Sequence, residues 1–279
     1  MVSFFPVSLL SCPASHSADG KVLYVNGAGW GQAGGLAAGD AQYAGSPVFP
    51  ADLFDPEAPA GKQWTTLANA SVSRLYHSGA ILLPSGEVIT TGGEMQNYVD
   101  LVGPNVNNNC YPRGQSACTE PFEYRLEVFT PPYLSNGKPR PVISEAPATL
   151  THNSSFMVTL ESEARIQRVS LIRYSSITHN TNTDQRFVEL EILGQAKNRL
   201  YLRMPKNGAL APPGNWMLFV LLDGVPSVAK TISLQLGDST QVTVPPDAVL
   251  PKNANNASSR QSTFFLTALL IVTAVFFYV

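Results

Sequence analysis

Glycines and prolines divide this sequence into short segments, and their spacing is what most constrains the fold. The 279 residues include 21 glycines and 22 prolines, and the runs between them are rich in valine, threonine and tyrosine. No amphipathic repeat is long enough for an extended helix. Alternating runs at Ala80–Leu83 and Glu87–Thr91 flank a Pro-Ser-Gly turn at 84–86 and predict a β-hairpin. The sequence therefore predicts an all-β protein built from many short strands.

The region 18–137 has the pattern of propeller blades. Strands are predicted at Lys21–Asn26 and Arg125–Phe129, and Gly92-Gly93 after the hairpin resembles the signature of kelch-type blades. A blade of four strands takes about 40 to 50 residues, so the region has room for two or three blades. We therefore expect a partial kelch-type β-propeller, which exposes strand edges unless something covers them. Residues 1–17 form an unmatched leader before it.

A second β domain is predicted over residues 138–236. About seven strands within about a hundred residues is the size and rhythm of an immunoglobulin-like β-sandwich. Turns are expected at Leu193-Gly194, Asn207-Gly208 and Asp223-Gly224. The predicted strands are Phe156–Leu160, Arg165–Tyr174, Phe187–Leu193, Arg199–Met204, Asn215–Asp223 and Ser227–Ile232.

The C-terminal end carries a membrane-attachment signal. A polar linker, 237–263, precedes an apolar tail, 264–279, that no Lys or Arg follows. As a helix this tail would span about 24 Å, which is less than the roughly 30 Å hydrocarbon core of a bilayer. The pattern favours a glycosylphosphatidylinositol signal, with attachment within 253–259, over a retained C-terminal membrane helix. We expect an extracellular protein of the cell surface or cell wall, or otherwise a secreted one.

The charge of the chain argues against two classes of partner. Only 14% of the residues are charged, and the formal net charge is −2. A nucleic acid or an anionic membrane surface would require a basic stripe, which the sequence does not contain. We therefore expect no nucleic-acid partner, and membrane association only through the C-terminal anchor or helix.

Three cysteines leave one unpaired in an extracellular chain. Cys110 and Cys118 enclose a short polar loop, which a disulfide would close with under roughly 3 kcal/mol of entropic stabilisation. A metal-binding pair is the alternative, although no further Cys or His lies at zinc-type spacing. Sequons at Asn69, Asn153 and Asn256 predict N-glycosylation and agree with secretion.

Tyr76 and His77, directly before the predicted hairpin, are two side chains that suit Cu(II). Neighbouring side chains of a regular strand point to opposite faces, so both reach one metal only where the strand begins or bulges. From the residues alone, packing of the tyrosine and a hydrogen-bonded imidazole is the simpler interpretation. In the same way, His179 in the polar loop 175–185 would be an ordinary surface histidine.

Six short segments, in order, carry a family resemblance. They are VLYVNGA at 22–28, RLYHS at 74–78, LLPSGEV at 82–88, TGG at 91–93, FTPPYL at 129–134 and TH at 178–179. The chain resembles the C-terminal part of the glyoxal oxidases, which are similar to galactose oxidase in being copper radical oxidases. That resemblance implies propeller blades followed by an early-set, immunoglobulin-like domain.

The resemblance also implies a copper site. It makes Tyr76, His77 and His179 ligands of one copper ion, and Tyr76 the axial ligand that accepts a proton from bound substrate. The loop that carries His179 would insert toward the propeller axis. The family's fourth ligand is a tyrosine joined to a cysteine, and this Cys–Tyr pair stores the second oxidising equivalent as a radical. No residues of this sequence match that pair.

Two functions from different classes follow. The first is the C-terminal part of a glyoxal-oxidase-type copper radical oxidase, which converts a small aldehyde or alcohol and O2 into an oxidised product and H2O2. The second is a non-catalytic β-sandwich module of the cell surface or wall. The missing Cys–Tyr pair, together with a leader that has no basic start, makes us expect a truncated copy or an incomplete gene model of a longer secreted oxidase.

Overall fold

The computed structural model describes residues 13–31, 44–93 and 123–251. The chain divides into two units, of which the first comprises residues 1–139 and 172–187, and the second residues 140–171 and 188–279. The segment 172–187, which carries His179, belongs to the first unit although the residues on either side of it belong to the second. All three predicted metal ligands therefore lie in the same unit.

The regular secondary structure of the described residues consists of short strands and one helical turn. In chain order they begin with β1 (Ala14–His16), β2 (Val22–Tyr24), β3 (Ala28–Gly31), β4 (Ala44–Pro47), β5 (Pro50–Phe54), β6 (Trp64–Asn69), β7 (Ser78–Leu82), β8 (Val88–Gly92), β9 (Glu127–Phe129) and α1 (Pro132–Ser135). Next come β10 (Ile143–Glu145), β11 (Thr149–Thr151), β12 (Ser155–Leu160), β13 (Arg168–Arg173), β14 (Ile177–Thr178) and β15 (Thr181–Asn182). The last are β16 (Phe187–Glu189), β17 (Glu191–Ala196), β18 (Arg199–Arg203), β19 (Gly214–Leu222), β20 (Val225–Pro226) and β21 (Lys230–Gln235).

The first unit consists of small antiparallel sheets. One has the strand order β1-β2-β5-β6, another has the order β7-β8-β9, and β3-β4 and β14-β15 are two-stranded. Four antiparallel strands in one sheet are the arrangement of a propeller blade. The described strands supply only part of a ring of such blades. The prediction of an all-β chain with a partial propeller is confirmed.

The hairpin predicted at 80–91 forms between β7 and β8. The Leu83 N–H donates to the Glu87 carbonyl at 2.8 Å, and the Gly86 N–H donates to the Leu83 carbonyl at 2.8 Å. Gly86 has a φ of 88°, which glycine adopts without the clash that a Cβ would cause. The Tyr133 hydroxyl donates to the Gly86 carbonyl and so ties α1 to this turn. The turn fixes the register of β7 against β8.

The second unit is an immunoglobulin-like β-sandwich, as predicted. One sheet has the order β10-β12-β18-β17, and the other has the order β11-β21-β19-β13-β16 with β20 paired to β19. Among the described residues, nineteen buried apolar side chains, most of them on strands of the two sheets, form one core. Trp216 on β19 is fully buried in it, and its indole N–H donates to the Pro212 carbonyl at 3.1 Å. A buried Trp with a satisfied N–H stabilises a core through its large apolar area.

Two details predicted for the second domain are wrong. The run 187–193, predicted as one strand, divides at Leu190, so that β16 lies in one sheet and β17 in the other. The turn predicted at 193–194 is a bulge within β17, where the register against β18 shifts and Gly194 has a φ of 156°. A Cβ on Gly194 would lie 2.9 Å from the Ala248 side chain. Glycine here permits a close approach and does not reverse the chain.

Residues 238–249 are hydrogen-bonded to the strands of the second unit. The Ser155 N–H donates to the Thr240 carbonyl at 2.9 Å, and the Val242 N–H donates to Ser155 Oγ at 2.8 Å. Gln195 and Val249 exchange backbone hydrogen bonds of 3.0 Å. Backbone groups at the edge of a sheet need such partners, so the start of the predicted linker region completes the sandwich.

Candidate metal centre

Tyr76 and His77 lie at the entry to β7. The strand begins at Ser78, and His77 has a φ of 58°, which is in the left-handed region. Histidine is one of the side chains that are enriched there. Ser78 Oγ donates to the Leu75 carbonyl at 2.8 Å, so a hydrogen bond joins the residues on either side of the dipeptide. The dipeptide is therefore at a strand start, where two neighbouring side chains can turn to one side.

The Gly92-Gly93 pair brings the end of β8 against this segment. Gly92 has a φ of 68°, and a Cβ there would lie 2.8 Å from the His77 carbonyl oxygen. A Cβ on Gly93 would lie 3.4 Å from Arg74 Cα. Glycine at 92 is therefore needed both for its backbone conformation and for the position of the His77 main chain. The kelch-like pair acts on the candidate site through the backbone.

A buried arginine holds the same segment. Arg74 is fully buried, and its Nη1 and Nη2 donate to the carbonyls of Gly92 and Arg125 at 2.8 and 2.6 Å. Its Nε lies 3.8 Å from a carboxylate oxygen of Glu127. Burial lowers the pKa of Arg74, while the Glu127 and Glu123 carboxylates act in the opposite direction. A hydrogen bond from the Arg125 side chain lowers the pKa of Glu123. These contacts join the entry of β7 to β8 and to the start of β9.

His179 lies in the two-residue turn of the β14–β15 hairpin. His179 and Asn180 occupy the turn, with φ values of 55° and 64°. Positive φ at both central residues is what a type I′ hairpin turn requires. The hairpin contacts β7 at Gly79, where an added Cβ would lie 3.1 Å from Ile177 Cγ2. The absence of a side chain at Gly79 lets the hairpin approach this closely.

The three predicted ligands come together in the first unit. The ring centroids of His77 and His179 are 4.8 Å apart, with an interplanar angle of 72°. The Tyr76 ring centroid is 3.9 Å from that of His77 and 6.1 Å from that of His179. Tyr76 is buried, His77 is half-buried and His179 is exposed. Two imidazoles and one phenol therefore share a small region that solvent reaches from the His179 side.

Thr178 contacts one of the two ring nitrogens of His179. Its Oγ1 lies 2.5 Å from His179 Nδ1. A neutral imidazole carries one proton, so when Nδ1–H donates to Thr178 the lone pair is on Nε2. A metal needs that lone pair, and metal-bound histidines commonly donate from their other nitrogen. This donor set fits Cu(II), for which imidazole nitrogens are suitable ligands.

The candidate set depends on tyrosine as its third donor. In residues 13–31, 44–93 and 123–251, no three His, Cys, Asp or Glu side chains cluster closely enough to hold a metal ion. Tyr76 is not one of these four residue types, and the candidate site holds only two of them, His77 and His179. A phenolate oxygen is nonetheless a suitable ligand for Cu(II).

Several predicted features lie outside the described residues. These are Cys110, Cys118, Asn256 and the tail 264–279. The predicted disulfide and the lipid-anchor signal therefore stay predictions. Where the structure does describe the chain, no helix is long and apolar enough to cross a membrane.

The two other predicted glycosylation sites are on the surface. Asn69 ends β6, Asn153 lies just before β12, and both side chains are exposed. Exposure is a requirement for attaching a glycan of any size. Both asparagines therefore stay candidates for modification.

Sequence reasoning missed Arg74 and Asn180. Both look like ordinary polar surface residues in the sequence, yet both are buried. Asn180 Nδ2 donates to the Leu75 carbonyl at 3.0 Å and to Ser78 Oγ at 3.2 Å. The available signal for Asn180 was its place after His179 in a polar run, because asparagine tolerates the positive φ of a tight turn. Nothing in the local sequence marks Arg74 as buried.

Two family models match this chain. The model described as Glyoxal oxidase N-terminus matches residues 15–133. The model described as Galactose oxidase-like, Early set domain, matches residues 140–234. The two matches follow the order of the propeller-like sheets and the sandwich.

Known proteins are similar to the chain over most of its length. An aldehyde oxidase of Arabidopsis thaliana is 32% identical over 230 residues, which are 77% of this chain and 34% of that protein. A galactose oxidase of Gibberella zeae is 34% identical over 192 residues, which are 67% of this chain and 25% of that protein. The chain thus spans about a third or less of the length of these relatives.

A solved structure supports the same relationship. It is a fungal alcohol oxidase of the AA5 family in complex with copper, with a TM-score of 0.59 and 26% identity. The match covers 81% of this chain and 42% of that one. Both the propeller-like sheets and the sandwich are therefore found together in a protein of known structure.

Proposed function

The chain belongs to the glyoxal oxidase family, and from this premise we propose that Tyr76, His77 and His179 bind one copper ion in the oxidation of a small aldehyde or alcohol by O2. The observation that carries the proposal is the convergence of the three rings in one unit, with centroid separations of 3.9, 4.8 and 6.1 Å. The segment that brings His179 there is inserted between residues of the sandwich. Such an insertion is unnecessary for the sandwich core, so a role at the first unit explains it better.

The chemistry of the donors favours copper over other common metals. Mg²⁺ and Ca²⁺ prefer carboxylate and carbonyl oxygens, which are not part of this set. Structural zinc sites are mostly built from Cys and His. Imidazole together with phenolate suits Cu(II). The similar fungal alcohol oxidase is in complex with copper.

The residues have separate tasks in this proposal. Copper, when bound, supplies Lewis acidity and one-electron redox chemistry. His77 and His179 bind as neutral imidazoles, and Thr178 orients the second ring. Tyr76 holds the proton of the substrate hydroxyl on its phenolic oxygen, and its burial beside His77 keeps that oxygen in place. Substrate approaches from the exposed His179 side.

The overall reaction removes two electrons and two protons from the substrate. An alcohol and O2 give an aldehyde and H2O2, and a hydrated aldehyde and O2 give a carboxylic acid and H2O2. In the family one oxidising equivalent resides on a Cys–Tyr pair, and the 279 residues contain no match for that pair. We propose that turnover needs such a pair from outside these residues.

Copper stoichiometry tests the site directly. The purified chain is titrated with Cu(II), and bound copper is counted after gel filtration. We expect one tight copper per chain, and affinity reduced by at least about 100-fold in His77→Ala and His179→Ala, because each loses a ligand. His152→Ala is the matched control, because His152 lies in the second unit, where its Nε2 donates to the Ala211 carbonyl at 2.8 Å. Equal copper binding by all four proteins would contradict the proposal.

A non-catalytic surface module is the second candidate function. Two observations favour it, the missing Cys–Tyr pair and the self-contained core of the sandwich. A peroxide assay of the copper-loaded chain with small aldehydes and alcohols tests whether these residues oxidise substrate by themselves. Peroxide formation that His179→Ala abolishes supports the oxidase, whereas copper binding without peroxide supports the module or an oxidase completed by further chain.

We also propose an extracellular, glycosylated protein that is attached to the cell surface by a lipid. Exposed Asn69 and Asn153 support the glycans, whereas the Cys110–Cys118 disulfide, Asn256 and the anchor rest on the sequence alone. In a eukaryotic host, glycosidase treatment should lower the mass, and a phosphatidylinositol-specific phospholipase should release the protein from cells. Retention on the membrane after phospholipase treatment would instead indicate a C-terminal helix.

A further inference from the structure

The His179 turn is attached to the Tyr76-His77 segment by a buried amide. Asn180 is 7% exposed, and its Nδ2 donates to the Leu75 carbonyl at 3.0 Å and to Ser78 Oγ at 3.2 Å. Leu75 and Ser78 are the residues that flank the dipeptide on its two sides. Ser78 Oγ itself donates to the Leu75 carbonyl at 2.8 Å. One side chain therefore contacts both ends of the segment that presents the other two candidate ligands.

The backbone of the turn makes asparagine suitable for this position. Asn180 has a φ of 64°, in the left-handed region, which asparagine tolerates better than most residues. Its neighbour His179 is also left-handed, with a φ of 55°. A short amide in this conformation reaches a backbone carbonyl without further rearrangement. The residue next to the candidate ligand is thus fixed in both its backbone and its side chain.

From these contacts we infer that Asn180 is a positioning residue, which sets the separation of the His179 ring from the His77 ring. This inference rests on the proposed copper site. The rings are 4.8 Å apart, so a shift of the hairpin by even one or two ångströms would prevent both imidazoles from binding one ion. Groups that orient metal ligands typically change metal affinity about 10- to 100-fold when they are removed.

A neighbouring asparagine provides the matched control. Asn182 Nδ2 donates to Ser175 Oγ at 2.8 Å, so this bond stays within the segment 172–187. Asn182→Ala removes a side-chain hydrogen bond from the hairpin but leaves the link to Leu75 and Ser78 intact. A loss of hairpin stability alone would weaken copper binding in variants of both Asn180 and Asn182. A loss of positioning would weaken it only in the variant of Asn180.

The experiment compares Asn180→Gly, which keeps the left-handed conformation but removes the amide, with Asn182→Ala, His179→Ala and the unchanged chain. Copper affinity is measured by chelator competition, and pulsed electron paramagnetic resonance counts the imidazoles bound to Cu(II). We expect Asn180→Gly to bind copper about 10- to 100-fold more weakly and to show one imidazole, as His179→Ala does. Asn182→Ala should keep two imidazoles.

The outcomes separate this inference from the proposed function. Two imidazoles and unchanged affinity in Asn180→Gly would overturn the positioning role while leaving the copper site intact. Absence of a two-imidazole signal in the unchanged chain would overturn the copper site and the inference together. Should Asn180→Gly fail to fold, Ser78→Ala supplies the second test, because it removes one acceptor of the Asn180 amide and should weaken copper binding by a smaller factor.

Discussion

The two units of the chain differ in the kind of interaction that stabilises the interior of each. In its described residues the sandwich has one core of nineteen buried apolar side chains, and every buried side-chain polar atom there has a partner. In the first unit, Asn26 Oδ1, Ser73 Oγ and His16 Nδ1 are buried without a partner. The first unit also exposes Tyr124 and Leu126, which precede β9, and Val128 within it.

The difference shows where the sequence determines structure by pattern and where it depends on single residues. An apolar core tolerates many side chains of suitable size, so packing alone specifies the sandwich. Around the candidate site, a buried arginine, three glycines in close contact and a buried asparagine each have one task. Regions that depart from the usual rules of burial in this way are typically functional.

The largest effect should come from the sandwich core. Trp216→Ala removes a fully buried indole, and we expect the free energy of unfolding of the second unit to fall by about 3 to 5 kcal/mol. Leu236→Ala, at a side chain that is 78% exposed, is the control and should have little effect. Chemical denaturation followed by circular dichroism measures both, because Trp216→Ala removes the tryptophan of the second unit. A loss below about 1 kcal/mol for Trp216→Ala would mean that a single core does not stabilise the sandwich.

In the first unit the large, fully buried side chain comparable to Trp216 is the polar Arg74. Arg74→Met keeps the volume but removes the donors to the carbonyls of Gly92 and Arg125, which leaves both acceptors and the Glu127 carboxylate without this partner. We expect a loss of about 3 kcal/mol in unfolding free energy, because unpaired buried polar groups are costly. Arg199→Met, on an exposed side chain, serves as the comparison in the same denaturation assay. Equal stabilities would show that the arginine network is dispensable.

The pH dependence of stability should also come from the first unit. Burial lowers the pKa of His16 from 6.5 to about 4, so the unfolded chain binds a proton at higher pH than the folded chain does. The free energy of unfolding is then highest above about pH 6.5. It falls as the pH decreases toward 4, by up to about 2 kcal/mol for this half-buried ring. His16→Gln should remove this part of the dependence. Melting curves are measured at pH 7.5, 5.5 and 4.5. If they change identically in His16→Gln and in the unchanged chain, His16 does not cause this pH dependence.

The backbone contact between the glycine pair and the dipeptide allows a matched comparison. Gly92 and Gly137 both have positive φ, of 68° and 73°, but only a Cβ at Gly92 would meet another residue, at 2.8 Å from the His77 carbonyl. Replacement by alanine should cost about 1 kcal/mol at Gly137 and about 2 kcal/mol at Gly92. Copper affinity should fall only in Gly92→Ala. If both variants bind copper normally, the glycine pair does not act on the site.

The sequence predicted the parts of the molecule that repeat a pattern. Alternation and turn residues were sufficient for the 80–91 hairpin and for the sandwich, because side-chain period and turn chemistry are local properties. They were insufficient at 187–193, where a strand changes sheets at Leu190, and at Gly194, where the bulge depends on Ala248 from a distant segment. Contacts of that kind arise only in the folded chain.

The candidate site was predictable only in part, for a similar reason. The family motifs indicated Tyr76, His77 and His179, and the structure places their rings together. The residues that support them, Arg74 and Asn180, have no local signature. Their roles follow from carbonyl groups that lie far away in sequence, such as Gly92 for Arg74 and Leu75 for Asn180.

Hydrogen exchange with and without Cu(II) tests most directly whether the metal is bound by the first unit and its inserted segment. A ligand that binds the folded state slows exchange where it restricts opening. We predict slower exchange at residues 74–80 and 176–183 when copper is added, and unchanged exchange in the sandwich strands at 155–160 and 199–203. Protection confined to the sandwich, or no protection at 74–80 and 176–183 at saturating copper, would contradict the account.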